Sequence, residues 1–77
     1  MIFFSEHALL KLKQRNIPRI FVEKALMFPD YDFPSYSDRN IVYKKIGKLY
    51  LKVIFTKKDD NLFIITQHWE EKPKLIK

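Results

Sequence analysis

The spacing of the apolar residues changes near residue 30, from the three-to-four-residue interval of a helix to the alternation of a strand. The first helix is predicted to begin after Ser5, because a serine hydroxyl caps a helix N-terminus well. Asn16 and Pro18 mark its end, since a residue that precedes proline is driven out of the helical conformation. This helix covers about residues 5–15, and its apolar face carries Ala8, Leu9 and Leu12.

A second helix is predicted from about Pro18 to Phe28, because proline suits the first turn of a helix. The Pro29-Asp30 pair stops it. This helix is apolar on most of its circumference, so it should be well buried. Ahead of both helices, Met1 to Phe4 is predicted to form a short edge strand.

Beyond residue 30 the alternation of apolar and polar residues predicts strands. Tyr31, Phe33 and Tyr36 indicate an irregular strand, which Pro34 confines to a sheet edge. Three further strands are predicted with hairpin turns between them, at Ile41–Ile46, Leu49–Thr56 and Leu62–Trp69. The continuous apolar start of the last strand indicates a central position in the sheet.

Together these elements predict an α+β fold, in which two N-terminal helices pack on an antiparallel sheet of three or four strands. A chain of 77 residues is expected to form a single domain over residues 1–77, with a charged tail over 69–77. The helices should cover one face of the sheet and leave the other face partly open.

Composition argues against several kinds of site. The chain has no cysteine, so neither a disulfide nor a thiolate metal site is expected, and its two histidines are too few for a dedicated zinc site. No glycine-rich phosphate loop or dinucleotide fingerprint is present, so no cofactor is expected. Without a signal peptide or a long apolar run, the chain is expected to be soluble and cytoplasmic.

The formal net charge of +6 and the pI near 9.7 favour a polyanion or an acidic protein as partner. The basic residues cluster at 11–19 and at 44–52, whereas the acidic residues fall mostly at turns. This segregation indicates a basic face. The alternative is that the lysines only solvate the surface.

Three residues of the first helix combine the side chains that a site acting on phosphate esters needs. His7, Lys11 and Arg15 lie four residues apart, so they should form a single ridge on the helix. An imidazole acts as a general acid or base near neutral pH, and the two cations can hold a phosphate. The alternative is an ordinary solvated helix face.

The second histidine lies at the other end of the chain, where His68 and Thr66 share one face of the last strand. The open sheet face is expected to carry Lys44, Lys52 and His68, and to accept a nucleic-acid strand. Three aromatic residues are candidates for stacking on unpaired bases, or alternatively are half-buried cross-strand partners: Tyr43, Tyr50 and Trp69. A first helix packed beside the last strand would bring His7 and His68 together.

Five short motifs span roughly Phe4 to His68: His7-Ala8, Lys11, Arg15-Asn16-Ile17, Phe28-Pro29 and Ile64-Ile65-Thr66. On these motifs the chain resembles the RelE/ParE toxin superfamily, in particular the branch whose helix begins with His-Ala and continues to Arg-x-Ile. The family pattern usually has arginine at position 11 and glycine at position 16, where this chain has Lys11 and Asn16.

The resemblance implies a helical hairpin on a compact sheet, a cognate antitoxin protein as partner, and metal-independent endoribonuclease activity on mRNA or tRNA. It also implies a site role for the residues that match the family motifs, which are His7, Lys11, Arg15 and Thr66. His68 lies beyond these motifs and is a candidate on its own chemistry alone.

The leading hypothesis is therefore a toxin-type endoribonuclease with His7 as general acid or base and His68 as its counterpart. Lys11 and Arg15 would hold the phosphate. Two alternatives remain open. One is a non-catalytic toxin or regulator that binds a protein target or its antitoxin through the basic face. The other is an RNA-binding module whose affinity falls with salt.

Overall fold

The chain forms two helices and five strands in the computed structural model, which describes residues 1–73. In chain order they are β1 (Ile2–Phe4), α1 (Glu6–Gln14), α2 (Arg19–Met27), β2 (Tyr31–Pro34), β3 (Arg39–Ile46), β4 (Leu49–Lys58) and β5 (Asn61–Glu70). The strands form one sheet in the order β1-β5-β4-β3-β2. The predicted α+β fold, with two N-terminal helices on a sheet, is confirmed.

The sheet has more strands than predicted, five within residues 1–73, because both weak candidates pair along their whole length. The predicted edge positions of the first strand and of the strand that contains Pro34 are confirmed. The expectation of a wholly antiparallel sheet is wrong at one pair. β1 runs parallel to the start of β5, with Phe4 opposite Ile64.

Local signals in the sequence account for the limits of α1. The Ser5 hydroxyl accepts a hydrogen bond from the Ala8 amide at 3.0 Å, which confirms the predicted N-cap. At the other end Asn16 has a φ of 53°, in the left-handed region that asparagine tolerates better than most residues. The helix therefore stops there, and α2 begins after Pro18.

The core lies between the two helices and one face of the sheet. Its buried members come from both layers: Ala8, Ile17, Val22, Ala25, Val42, Leu51, Val53, Phe55 and Ile64. Leu51, Val53 and Phe55 alternate along β4, as expected for a strand with one covered face. One polar side chain is buried with them, since Gln67 is 0% exposed and its Nε2 donates to the Ala8 carbonyl at 2.7 Å.

A β-bulge interrupts the pairing of β4 with β5. Ile54 lies opposite Thr66 and Phe55 lies opposite Ile64, so Ile65 has no partner on β4. The extra residue lets Ile64 and Gln67 both face the core although they are three positions apart. As a result, Thr66 and the residues at alternating positions after it point away from the helices.

The sheet face opposite the helices is called the open face here. The register assigns to it Phe3, Tyr31, Phe33, Arg39, Ile41, Tyr43, Lys45, Tyr50, Lys52, Ile54, Thr56, Lys58, Asn61, Phe63, Thr66, His68 and Glu70. The predicted start of the charged tail at residue 69 is two residues too early, because Trp69 and Glu70 belong to β5. Residues 74–77 of that tail lie outside the described residues.

Candidate nucleic-acid interface

A row of four side chains crosses the open face from β2 to β5. Tyr31 pairs with Tyr43, Tyr43 with Lys52, and Lys52 with His68. Neighbouring strands lie about 4.8 Å apart, so the three spacings of this row amount to about 14 Å. The row connects an aromatic edge of the sheet to the half-exposed imidazole of His68.

The Glu70 carboxylate contacts both polar members of this row. Its Oε1 lies 3.6 Å from His68 Nε2 and 3.9 Å from Lys52 Nζ. All three side chains are between one fifth and one third exposed, so the cluster is shielded yet open to a ligand. It contains a proton-transfer group, a fixed cation and a carboxylate within one small area.

The pKa of His68 is lowered below its ordinary value, mainly because burial disfavours the charged ring. Glu70 acts in the opposite direction and raises it, whereas the cations Lys52 and Arg15 lower it further. Burial and the two cations together outweigh the carboxylate. His68 is therefore mostly neutral at pH 7, which is the form that accepts a proton.

Tyr43 forms the floor of the cluster. It is 3% exposed although it lies on the open face, because the Phe33 ring packs edge-on at 6.1 Å and Lys52 Nζ lies 5.8 Å from its ring centroid. Burial raises the pKa of Tyr43, and the nearby Glu70 carboxylate raises it further. Of the two roles expected for Tyr43, stacking on a base or cross-strand packing, its burial supports the second.

The charges of the open face are mostly positive. Four cations, Arg39, Lys45, Lys52 and Lys58, share it with one carboxylate, Glu70, among the strand residues that the register places there. Glu70 is engaged with Lys52 and His68. This excess of positive charge favours an anionic ligand on the open face. Of the two predicted basic clusters, only Lys45 and Lys52 of residues 44–52 lie here, whereas residues 11–19 belong to the helix layer.

A profile of the family described as Domain of unknown function (DUF4258) matches residues 4–67. The chain belongs to the DUF4258 family. No curated protein and no solved structure gives a significant match. The DUF4258 region includes α1, α2 and Lys52, and it stops one residue before His68. His68 and Glu70 thus complete a cluster whose remaining members lie inside the DUF4258 region.

Of the predicted ridge, His7 and Lys11 lie on α1 and Arg15 is its C-cap residue, all within the DUF4258 region, and the three have separate contacts. His7 is exposed, Lys11 Nζ donates to Gln14 Oε1 at 2.9 Å, and Arg15 Nη1 donates to the Gln67 carbonyl at 2.8 Å. Within residues 1–73 no hydrogen bond or ion pair joins His7 to His68. The partnership of the two histidines stays a prediction.

Two lysines predicted on the same face lie on opposite sides of the sheet. Lys52 is on the open face, but Lys44 pairs with Leu51 and so faces the helix side, where its Nζ lies 3.9 Å from Asp30 Oδ2. The expected open-face position of Lys44 is wrong, because position 44 has the parity of the core residue Val42. Thr66 does share the open face with His68, as predicted.

Trp69 is also unavailable for stacking on a base. It faces the helices, its Nε1 donates to the Arg15 carbonyl at 3.0 Å, and its ring packs edge-on against Phe21 at 6.3 Å. Of the three aromatic candidates, Tyr50 keeps a half-buried place on the open face. Its ring lies 6.1 Å from that of Tyr31.

Glu70 and Tyr31 are the site residues that sequence reasoning missed. The sequence pattern places Glu70 in the charged tail, although its position two residues after His68 is the signal for a shared strand face. It places Tyr31 in an irregular strand and indicates no site role for it. No group of three metal-ligand side chains occurs among residues 1–73, and no helix there is long and apolar enough to cross a membrane.

Proposed function

We propose that the chain is a toxin-type endoribonuclease of the cytoplasm, which cleaves single-stranded mRNA or tRNA on the open face without a metal ion. The observation that supports this most is the position of His68 on the basic open face, where its imidazole contacts the same Glu70 carboxylate as Lys52. The resemblance of α1 to RelE/ParE toxins agrees with it. A cognate antitoxin is part of the same proposal.

His68 is the general base in this proposal. It takes the proton of a ribose 2′-hydroxyl, and the freed oxygen attacks the adjacent phosphorus. The 5′-oxygen then leaves with a proton from solvent at the exposed side of the site, because His7 lies on α1, against the other face of the sheet. The products are a 2′,3′-cyclic phosphate and a 5′-hydroxyl, so atoms and charge balance without a cofactor.

Lys52 and Glu70 support that step through charge. The Lys52 ammonium stabilises the negative charge that develops on the phosphorane. The Glu70 carboxylate, 3.6 Å from Nε2, stabilises the imidazolium that forms when His68 accepts the proton. Arg15 is held by the Gln67 carbonyl, so it contributes to the local positive field and fastens α1 beside the cluster.

The test is cleavage of a labelled single-stranded RNA in EDTA, with and without added ribosomes, together with growth arrest on expression. His68→Gln should lower the cleavage rate by about 10²- to 10⁴-fold, the usual contribution of a positioned base. His7→Gln is the matched control, because it removes the imidazole of α1 outside the open face and should leave the cleavage rate unchanged. Unchanged cleavage in His68→Gln contradicts the proposal, as does growth arrest that survives this substitution.

The second candidate function is non-catalytic docking of an acidic protein, which the same four cations of the open face favour. It predicts no RNA products from the unsubstituted chain, and capture of a protein target that Lys45→Glu abolishes and His68→Gln leaves intact. His68→Gln and Lys45→Glu together therefore distinguish the two functions.

A further inference from the structure

Three aromatic side chains form a contiguous cluster at the β2 edge of the open face. The rings of Tyr31 and Phe33 are nearly parallel, 5° apart, with centroids at 6.4 Å. The Tyr50 ring lies 6.1 Å from Tyr31 at 47°. All three are half-buried, so each ring keeps a surface that faces solvent.

The hydrophobic core does not account for this cluster. The core lies on the other side of the sheet, between the strands and the helices. Two of the three border the buried Tyr43, since Phe33 packs against its ring and Tyr31 is its cross-strand partner. Three aromatic rings side by side on an uncovered face are the kind of platform on which unpaired bases stack.

The cluster is continuous with the proposed cleavage site. Tyr31 begins the row that ends at His68, and Tyr50 precedes Lys52 by two positions on the same face of β4. Two residues of strand rise about 6.6 Å, so the Tyr50 ring and the Lys52 ammonium are neighbours along the strand. The aromatic surface lies at one end of this row and the polar cluster at the other.

We propose that Tyr31, Phe33 and Tyr50 form a stacking shelf for an unpaired base of an RNA strand whose phosphates lie near Lys52. Charge complementarity selects this occupant, because four cations and one engaged carboxylate share the face with the shelf. Two carboxylates lie near the shelf. Glu70, opposite Tyr50, is engaged with Lys52, and Asp30 accepts a hydrogen bond from the Lys45 amide at 2.7 Å and pairs with Lys44. The phosphate position depends on the proposed function, whereas the base contact does not.

The test compares two labelled probes in the cleavage-deficient His68→Gln background. One is a short single-stranded oligouridylate, and the other is an abasic ribose-phosphate oligomer of the same length and charge. Tyr31→Leu and Tyr50→Leu keep an apolar side chain and remove the aromatic face. Tyr36→Leu is the matched control, because Tyr36 is 89% exposed and lies outside the shelf.

Each shelf variant should weaken binding of the oligouridylate by about 5- to 150-fold, the range for loss of one stacked base, and leave binding of the abasic oligomer unchanged. Tyr36→Leu should change neither. Three results would overturn the shelf. They are an equal loss of affinity for both probes, no loss for either probe, and no binding of the oligouridylate by the His68→Gln protein itself. Circular dichroism and the urea midpoint show that each variant is folded.

The shelf and the proposed function fail in different ways. If the unsubstituted chain binds RNA through its bases but yields no RNA products, the shelf is supported and the nuclease proposal is contradicted. If the unsubstituted chain cleaves RNA and the Tyr31→Leu and Tyr50→Leu variants bind the oligouridylate as before, the nuclease proposal is supported and the shelf is contradicted.

Discussion

Arg15 and Gln67, fifty-two residues apart in the chain, are joined by a hydrogen bond from Arg15 Nη1 to the Gln67 carbonyl at 2.8 Å. The Trp69 Nε1 completes the link by donating to the Arg15 carbonyl at 3.0 Å. Beyond Ile64, no strand within residues 1–73 pairs with β5 on its β1 side. The end of α1 therefore supplies backbone contacts to this part of β5, which also carries His68.

The first prediction concerns this link. Arg15→Gln should lower the free energy of unfolding by about 1.5–3 kcal/mol, because the bond is charge-assisted and partly buried. Urea denaturation measures it. Lys13→Gln, at an exposed position of the same helix, is the matched control and should change stability by less than about 0.5 kcal/mol. Equal stability of both variants would show that Arg15 is free for a ligand instead.

The second prediction concerns the N-cap of α1. Ser5 Oγ accepts from the Ala8 amide and also donates to the carbonyl of the bulge residue Ile65 at 3.2 Å. Ser5→Ala removes both bonds and should cost about 1–2 kcal/mol in the free energy of unfolding.

Thermal and urea unfolding check this value. Ser35→Ala is the control, since only the backbone amide of Ser35 has a hydrogen bond in the described part of the chain. A Ser5→Ala variant as stable as Ser35→Ala would exclude the cap as a determinant of α1.

The sequence predicted the elements because their signals are local. Ser5 caps, Asn16 and Pro18 stop a helix, and Gly47 makes a tight turn, each through the conformational preference of one residue. The order of the strands in the sheet and the parallel pairing of β1 depend instead on contacts between distant segments. No local pattern carries that information.

The site was harder to predict than the fold, because it depends on strand register. A change of one position along a strand moves a side chain to the other face of the sheet. Lys44 and Lys52 therefore lie on opposite faces, although both belong to the same basic cluster in the sequence. The bulge at Ile65 shifts the register of β5 by one further residue. The continuous apolar run at the start of β5 gives no sign of this shift in the sequence. Glu70 and Tyr31 become visible as site residues only when the cross-strand partners are known.

The third prediction concerns the hairpin turn between β3 and β4. Gly47 has a φ of +65°, and a Cβ added there would meet no atom within 4 Å. The cost of Gly47→Ala is therefore backbone strain alone, about 1–2 kcal/mol in the free energy of unfolding.

Gly47→Asn provides the matched comparison, since asparagine tolerates the left-handed region better and should cost less than alanine. Urea midpoints of the two variants check the order. A smaller loss for alanine than for asparagine would mean that the turn changes its conformation on substitution.

The fourth prediction is a pH dependence that originates at His68. Because its folded pKa lies below the unfolded value of 6.5, the unfolded chain binds more protons in the window between the two. The free energy of unfolding should therefore rise with pH through that window and level off above 6.5. Glu70, Lys52 and Arg15 are the charged groups that set the folded value, and Glu70 opposes the other two. His68→Gln should remove this rise in urea titrations at several pH values, whereas His7→Gln should keep it, and a rise that persists in His68→Gln contradicts the assignment.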